Sequence, residues 1–258
     1  MSDGTVHLVM DGAIATVTFD RPAARNAMTW AMYESLSDIC TQLRKDTSVR
    51  AVAFRGAGGE AFVAGTDIEQ FKAFEGGADG VAYEDRIEAC VAPLESLPVP
   101  TIAVVDGWCV GGGLVIATAC DIRIGTASAR FGVPIARTLG NCLSAANLAR
   151  LVAAFGRPRV QRMLVGAEIL GAEEARTCGF LADVVEPGKL DEASKLLCQR
   201  VAAMAPVTQA VTKEALQRLL LANLPDVRDL IELTYGSADF REGVHTFGEK
   251  RPPRWQGR

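Results

Sequence analysis

Two glycine-containing segments each follow an apolar run and precede a predicted helix. In the second, the apolar run Thr101–Val105 leads to Gly111-Gly112-Gly113, and a helix is predicted from Leu114. Val49–Asp67 shows the same order of strand, glycine turn and helix start. Glycine lets backbone N–H groups come close to a ligand, and a helix N-terminus favours negative charge. Two such donors on one oxygen would form an oxyanion hole for a reacting carbonyl. The glycines alone equally fit close helix–strand packing.

The elements that must position these segments alternate between strands and helices in the first half of the chain. Val6–Met10 and Ala13–Phe19 predict a hairpin across Asp11-Gly12. Glu75–Gly80 is polar and glycine-rich, so we expect a mobile loop. From Leu190 onward the pattern is almost entirely helical. The sequence therefore predicts an α/β core with a helical C-terminal part. Further predicted strands are Val49–Phe54, Asp121–Gly125 and Val184-Val185, and further predicted helices are Thr29–Leu43, Ile68–Phe74, Val81–Leu97, Leu114–Ala119, Leu143–Phe155, Pro158–Leu164 and Ala172–Cys178.

Composition excludes several classes of protein. The net charge of −4 and the dispersed Lys and Arg residues argue against nucleic acid as a partner. No apolar run reaches the roughly 18 residues of a membrane span, and no secretory signal is visible. The seven cysteines form no C-x-x-C pair, which favours free thiols in a reducing compartment. We therefore expect a cytoplasmic protein without a membrane partner or a metal site, and we interpret His7 and His245 as structural.

Five short motifs fall in order along nearly the whole chain. They are Arg21-Pro22-Ala23-Ala24-Arg25-Asn26-Ala27, Ala61-Phe62-Val63-Ala64-Gly65-Thr66-Asp67-Ile68, Val105-Asp106-Gly107-Trp108-Cys109-Val110-Gly111-Gly112-Gly113, Cys120-Asp121-Ile122-Arg123 and Phe247-Gly248-Glu249-Lys250-Arg251. Each is weak alone, but together they are specific. In this combination the chain resembles the crotonase (enoyl-CoA hydratase/isomerase) superfamily.

The resemblance implies an α/β fold, a crotonase-like spiral of ββα units over residues 1–195. It implies a helical oligomerisation region over residues 196–258 that forms homotrimers or homohexamers. A coenzyme A thioester would be the substrate, with no permanently bound cofactor. The N–H groups of Thr66 and Gly112 would form the oxyanion hole. Substrate or coenzyme A would contact Ala23, Ala24, Arg25, Ala64, Gly65, Asp67, Ile68, Gly111, Pro134, Ile135 and Lys250. On residue type alone, Asp67 is better explained as a helix cap and Lys250 as a solvated tail residue.

The chain departs from the family at two positions. The hydratases that it resembles hold a water between two glutamates, which act as general acid and base. Here the first position is Val115, and the second is Ile135, after Phe131-Gly132-Val133-Pro134. Neither side chain transfers a proton. The sequence therefore predicts a reaction other than two-glutamate hydration.

Other residues could supply the missing chemistry. Cys142 lies near the place where some relatives carry a nucleophilic aspartate, but with no partner base in view a small apolar residue at a helix start is the plainer interpretation. Arg137 could pair with a substrate carboxylate or with a surface acid. Glu84, Asp85 and Glu88 could offer an acid from an unusual direction, although a solvated helix face is the plainer interpretation. Trp108, Val115, Ile135 and Leu139 are expected to line an apolar acyl site.

Three hypotheses follow. The leading one is an acyl-CoA enzyme that stabilises a thioester enolate and catalyses isomerisation, decarboxylation or thioester hydrolysis. Decarboxylation forms an enolate without a strong base, so it suits a chain that lacks both glutamates. The alternatives are a non-catalytic acyl-CoA binder and a structural subunit with the same fold.

Overall fold

The computed structural model describes residues 3–249 and 251–258, which form two β-sheets with helices packed around them. The larger sheet has six strands, in the order β1-β2-β3-β5-β7-β10. The smaller sheet has four strands, in the order β4-β6-β8-β9. The strands are β1 Thr5–Asp11, β2 Ile14–Asp20, β3 Ala51–Gly56, β4 Ala61–Ala64, β5 Thr101–Val105, β6 Trp108–Val110, β7 Ile122–Thr126, β8 Arg130–Gly132, β9 Leu170–Gly171 and β10 Asp183–Val185.

The helices surround both sheets and make up nearly all of the C-terminal part. Short 3₁₀ helices at Pro22–Ala24, Ile68–Ala73 and Pro187–Lys189 add single turns between the main elements. The α-helices are α1 Trp30–Lys45, α2 Gly77–Glu95, α3 Gly112–Ala119, α4 Ile135–Thr138, α5 Ala145–Phe155, α6 Arg157–Leu164, α7 Ala172–Thr177, α8 Leu190–Ala202, α9 Pro206–Leu221, α10 Arg228–Tyr235 and α11 Ala238–Glu249.

Three successive units repeat the order strand, strand, helix. In each unit the first strand (β3, β5 or β7) joins the large sheet in parallel, and the second (β4, β6 or β8) joins the small sheet in parallel. The helices that follow are α2, α3 and α4. Every residue of β5 is buried, as expected for a central parallel strand with both faces covered. The similarity noted between Val49–Asp67 and Thr101–Gly113 is therefore structural, and a third unit extends it.

The predicted elements agree with the structure except in one loop. The hairpin of β1 and β2 is antiparallel, and Ala15, Val17 and Phe19 of β2 alternate on its buried face. The expectation of a mobile loop over Glu75–Gly80 is wrong, because α2 begins at Gly77. The Asp79 carboxylate accepts hydrogen bonds from the N–H groups of Glu75 and Gly76 and so holds the start of the helix. No helix in the described ranges is long and apolar enough to cross a bilayer.

The C-terminal helices differ in how they meet the core. Leu197, Cys198 and Val201 of α8 pack on the large sheet. The predicted division between residues 195 and 196 falls inside α8, so we propose that it follows Ala202 instead. By contrast, α9 has no buried residue.

Candidate active site

The first loop of the site leaves the small sheet after β4. Gly65 has a φ of +99°, a left-handed value that suits glycine. Met28 pairs in parallel with Thr66: its N–H donates to Gly65 at 2.9 Å, and its carbonyl accepts from Asp67 at 2.8 Å. This pairing turns the Thr66 N–H away from Met28. The Asp67 carboxylate accepts from the Glu69 N–H at 3.1 Å and so caps the following turn.

The second loop leaves the same sheet after β6. Gly111 has a φ of +53° and donates its N–H to the Gly132 carbonyl at 3.0 Å. The next two glycines begin α3, where backbone N–H groups have no partner within the helix. A Cβ on Gly113 would overlap the Val63 carbonyl oxygen. Gly113 therefore serves close packing and Gly112 presents a donor, so each interpretation of the triple glycine applies to a different residue.

The two loops lie side by side because β4 and β6 are parallel neighbours, with Ala64 opposite Val110. A Cβ built on Gly111 would lie 3.4 Å from the Gly65 Cα, and one on Gly112 would lie 3.0 Å from the Thr66 hydroxyl oxygen. Within the described residues, neither the Thr66 N–H nor the Gly112 N–H donates to a protein acceptor. Two unused donors at adjacent loop ends suit one developing negative charge.

A cavity of about 210 Å³ opens at these loops. Its lining is mostly apolar, and it includes hydroxyl, amide and carboxyl groups but, among the described residues, no Lys or Arg. A larger depression of about 580 Å³ lies between α2 and α9, and neither glycine loop lines it. The lining of the smaller cavity comprises Tyr33, Ala64, Gly65, Thr66, Ile68, Phe71, Tyr83, Glu84, Ile87, Val110, Gly111, Gly112, Val115, Val133, Pro134, Ile135, Thr138, Leu139, Asn141, Leu143, Asn147 and Phe247.

Comparison with known proteins identifies the family. The sequence profile described as Enoyl-CoA hydratase/isomerase matches residues 10–258. The chain belongs to the enoyl-CoA hydratase/isomerase family. It is 31% identical to the (E)-benzylidenesuccinyl-CoA hydratase of Thauera aromatica, over 98% of this chain and 99% of that protein. It is also 31% identical to the short-chain-enoyl-CoA hydratase of Clostridium acetobutylicum, over 97% of each chain.

Solved structures of the family show the same fold. A methylmalonyl-CoA decarboxylase in complex with 2-nitronate-propionyl-CoA superposes with a TM-score of 0.90 at 25% identity, covering 98% of each chain. An enoyl-CoA hydratase/carnithine racemase from Magnetospirillum magneticum superposes with a TM-score of 0.80 at 32% identity, covering 100% of this chain and 97% of that one. The predicted crotonase-like fold is confirmed.

The family motif Arg21–Ala27 holds the first loop in place. Asn26 is fully buried, and its amide nitrogen donates to the carbonyls of Ala57 and Ala61 at 2.9 and 2.8 Å. The Arg21 guanidinium lies 2.7 Å from the Asp67 carboxylate. The Arg25 carbonyl accepts from the Ala64 N–H at 3.0 Å, at the end of β4. This element therefore fixes the strand end from which the Thr66 donor extends.

The residues predicted to contact substrate divide into two groups. Ala64, Gly65, Ile68, Gly111, Pro134 and Ile135 line the cavity. Ala23, Ala24, Arg25 and Asp67 do not line it, and their contact with coenzyme A stays a prediction. Lys250 lies outside the described residues. Val115 and Ile135, where the hydratase glutamates are expected, both line the cavity and leave those two positions without a carboxylate.

Trp108 differs from its expected place in the cavity lining, and for Arg137 and Cys142 the structure favours one of the two alternatives that the sequence left open. Trp108 is 37% exposed and does not line the cavity. Arg137 is exposed and also lies outside the lining. Cys142 lines a separate cavity of about 230 Å³, and burial raises the pKa of its thiol to about 11. A thiol with this pKa is protonated near neutral pH, so the geometry favours Cys142 as an apolar packing residue.

Three hydroxyl groups that the sequence analysis missed meet beside the oxyanion donors. Tyr83 donates to the Thr66 hydroxyl oxygen at 3.0 Å, and the Tyr33 and Thr66 hydroxyls lie 2.9 Å apart. Burial raises the pKa of both phenols above their usual range, so both stay protonated. Tyr33 comes from α1 and Tyr83 from α2, and their positions on the buried faces of predicted helices were the available signal.

Glu84 corrects the expectation of a solvated face on α2. Its side chain is 3% exposed and lines the cavity. The Tyr235 hydroxyl donates to one carboxyl oxygen at 2.8 Å, and the Ser144 N–H donates to the other at 2.9 Å. Burial, the largest influence, raises the pKa of Glu84 to about 7. A group that titrates near neutral pH in a reaction cavity is suited to proton transfer.

The neighbours of Glu84 on α2 have other environments. Asp85 is 63% exposed beside Arg228, as a solvated face predicts. Glu88 instead pairs at 2.6 Å with Arg150, which is 1% exposed and also binds Glu95 at 2.7 Å. This ion-pair cluster joins α2 to α5 behind the cavity. Glu88 therefore has an ion-pair partner, whereas Glu84 has only hydrogen-bond partners among the described residues.

Proposed function

We propose that the protein binds an acyl-CoA thioester and stabilises its enolate between the N–H groups of Thr66 and Gly112. One observation carries the proposal: two unused N–H donors from adjacent loop ends border a cavity. Val115 and Ile135 line that cavity at the two positions where the family resemblance predicts glutamates. Such donors stabilise charge as it develops on the thioester oxygen. The absent glutamates support a reaction other than two-glutamate hydration, and we favour proton transfer at the carbon next to the carbonyl.

The oxyanion donor can be tested with a matched pair of variants. A Cβ at Gly112 would meet the Tyr33 hydroxyl, so both variants carry Tyr33→Phe. Gly112→Ala keeps the N–H and Gly112→Pro removes it. Proline suits the first position of a helix. Gly111, which would precede the proline, has φ +53° and ψ −125°. This is the mirror image of the extended conformation that residues favour before proline, and glycine adopts both because it has no Cβ.

We expect the Gly112→Pro variant to be about 100-fold slower than the Gly112→Ala variant, the effect of losing one oxyanion donor. The measurement is deuterium uptake by the α-carbon of butyryl-CoA in D₂O, followed by mass spectrometry, together with turnover of a panel of acyl-CoA thioesters. Equal rates in the two variants would mean that the Gly112 donor is misassigned.

Decarboxylation is the second candidate reaction. It is supported by the likeness to methylmalonyl-CoA decarboxylase and by a cavity lining without Lys or Arg among the described residues, since an apolar surrounding favours loss of a carboxylate charge. Methylmalonyl-CoA belongs in the thioester panel, and release of CO₂ with formation of propionyl-CoA would support this candidate. Binding without any turnover would support a non-catalytic acyl-CoA binder.

We further propose that the protein assembles as a homotrimer or homohexamer through its C-terminal helices. α9 meets the rest of the chain through polar contacts, such as Lys213 with Asp121 at 2.6 Å and Gln217 with Glu95 at 3.1 Å. Its apolar side chains Val207, Val211, Leu216 and Leu219 are exposed in the single chain. Exposed apolar side chains gathered on one helix are typical of a surface that another chain covers.

A further inference from the structure

Glu84 is placed in the cavity by the helix that carries it. The buried positions Gly80, Glu84, Ile87, Val91 and Leu94 on α2 follow helical spacing along one face. Glu84 therefore occupies a core position of an amphipathic helix rather than its polar face. Among the described residues that line the cavity, it is the single Asp or Glu.

The hydrogen bonds of Glu84 orient it without using its full capacity. It accepts from the Tyr235 hydroxyl and from the Ser144 N–H, and the Asn147 side chain supplies a third contact. A carboxylate offers about four lone-pair sites, so at least one oxygen can take up a proton. Donors from α10 and from the start of α5 hold the group from two sides.

Among the described residues, no cation pairs directly with Glu84. Arg150 of α5 is occupied by Glu88, Glu95 and the Asn147 side-chain oxygen. Within the described residues, the other titratable groups near Glu84 are the neutral phenols Tyr33, Tyr83 and Tyr235, the Cys142 thiol and Glu88. The groups that influence the protonation of Glu84 come from four helices and from the segment before α5. They are Tyr33 on α1, Tyr83 and Glu88 on α2, Asn147 on α5, Tyr235 on α10, and Cys142 and Ser144 in that segment.

We infer that Glu84 carries the proton to and from the carbon next to the thioester carbonyl, from a helix that supplies neither of the expected hydratase glutamates. The inference rests on the proposed function. The C–H bond breaks, and its electron pair forms the carbon–carbon double bond of the enolate. The carbonyl π pair moves onto the thioester oxygen at Thr66 and Gly112, and the proton bonds to a Glu84 oxygen. In the return step the enolate takes a proton back from Glu84, so no oxidant or cofactor is needed.

The pH dependence follows from the direction of the shift. The ionised carboxylate is the base, so the exchange rate rises as the pH rises through about 7, the pKa to which burial raises Glu84. The Tyr235 hydroxyl stabilises the ionised form and lowers this pKa. Removing that donor with Tyr235→Phe therefore moves the midpoint of the rate profile to higher pH.

The test uses the full chain with butyryl-CoA in D₂O. We expect the parent protein to place deuterium at the α-carbon, and Glu84→Gln to be at least 100-fold slower, within the range for loss of a general base. We expect Glu84→Gln to bind butyryl-CoA with nearly the parent affinity, as measured by calorimetry. Asp85→Asn, on the exposed side of the same helix, keeps the parent rate and midpoint.

Tyr235→Phe keeps the carboxylate, so it tests the inference even where Glu84→Gln fails to fold. Exchange by Glu84→Gln at the parent rate, an unmoved midpoint in Tyr235→Phe, or no exchange of bound butyryl-CoA by the parent protein would each overturn the role of Glu84. A rate that falls with Gly112→Pro but not with Glu84→Gln would leave the proposed function standing. Absence of acyl-CoA binding would remove the proposed function itself.

Discussion

The Thr66 hydroxyl is a hydrogen-bond partner that two buried phenols share. Tyr33 is fully buried and Tyr83 is 8% exposed, and both hydroxyls contact the Thr66 side chain within 3.0 Å. A buried hydroxyl without a partner costs more free energy than a hydrogen bond gains. The side chain of Thr66 therefore stabilises the same loop whose N–H is the proposed donor.

Replacement of Thr66 by valine separates these two roles. Thr66→Val keeps the side-chain shape and the backbone N–H but removes the hydroxyl that both phenols contact. We therefore expect the free energy of unfolding to fall by about 1–3 kcal/mol. Adding Tyr33→Phe and Tyr83→Phe removes the stranded hydroxyls and restores most of the loss. Urea denaturation of the parent protein, Thr66→Val and the triple variant measures the effect, and a triple variant that is less stable than Thr66→Val would contradict it.

At the level of single residues, the sequence predicted which loop positions line the cavity better than it predicted the surroundings of side chains. Motif matches led to Thr66 and Gly112, because the loop sequence itself specifies those positions. Glu84 was missed as a buried group because three acidic residues stand together at 84, 85 and 88 in the sequence. Only the spacing from Gly80 to Leu94 distinguishes it, and its donor Tyr235 lies 151 residues away.

At the level of elements, the parallel pairing of β4 with β6 sets the distance between the donors. α3 must begin close against β4, and Gly113 permits this approach because a Cβ there would overlap the Val63 carbonyl. The two loops are thus positioned by sheet register and by one contact between helix and strand.

Alanine substitutions test this close approach. We expect Gly113→Ala to lower the free energy of unfolding by about 1–3 kcal/mol, the usual cost of overpacking. Gly171→Ala is the matched control, since nothing lies within 4 Å of its Cβ position and its φ is −87°. Thermal and urea denaturation compare the two. Equal stability of both variants would mean that α3 shifts without cost.

Most element boundaries could be predicted from apolar spacing and caps. Thr29, Asp67 and Ser144 each cap the helix or turn that follows them, as their residue types indicate. The start of α2 was missed because its first turn contains two glycines, Gly77 and Gly80, which favour a loop on local grounds. A Cβ on Gly80 would overlap the Tyr235 ring, so tertiary packing requires glycine there.

At the level of the whole molecule, the exposed apolar residues of α9 predict assembly. We expect light scattering to give the mass of a trimer or hexamer. Val211→Glu combined with Leu219→Glu lowers that mass, because a charge in a covered apolar surface is costly. Val9→Glu is the matched control, since Val9 on β1 is 61% exposed and Val211 is 63% exposed. A monomeric parent protein would contradict the proposed assembly.

The alternation of elements was enough to predict the α/β class, but not the division of strands between two sheets. β6 and β8 have three residues each, too short for a distinct apolar pattern. Their pairing with β4 is a long-range property. The family resemblance supplied the spiral arrangement that periodicity alone did not.

The hydrogen bond between Tyr235 and Glu84 also ties the cavity to a segment that is synthesised long after β4 and β6. A nascent chain that ends before residue 235 could already pair β4 with β6. The Glu84 carboxylate of that chain would still lack its hydrogen-bond donor from α10. Fraying of α10 in the finished protein would have the same effect while both sheets stay intact. The protein would then gain the ability to transfer protons only after its sheets have formed. Mild destabilisation would remove this ability before it disrupts the sheets.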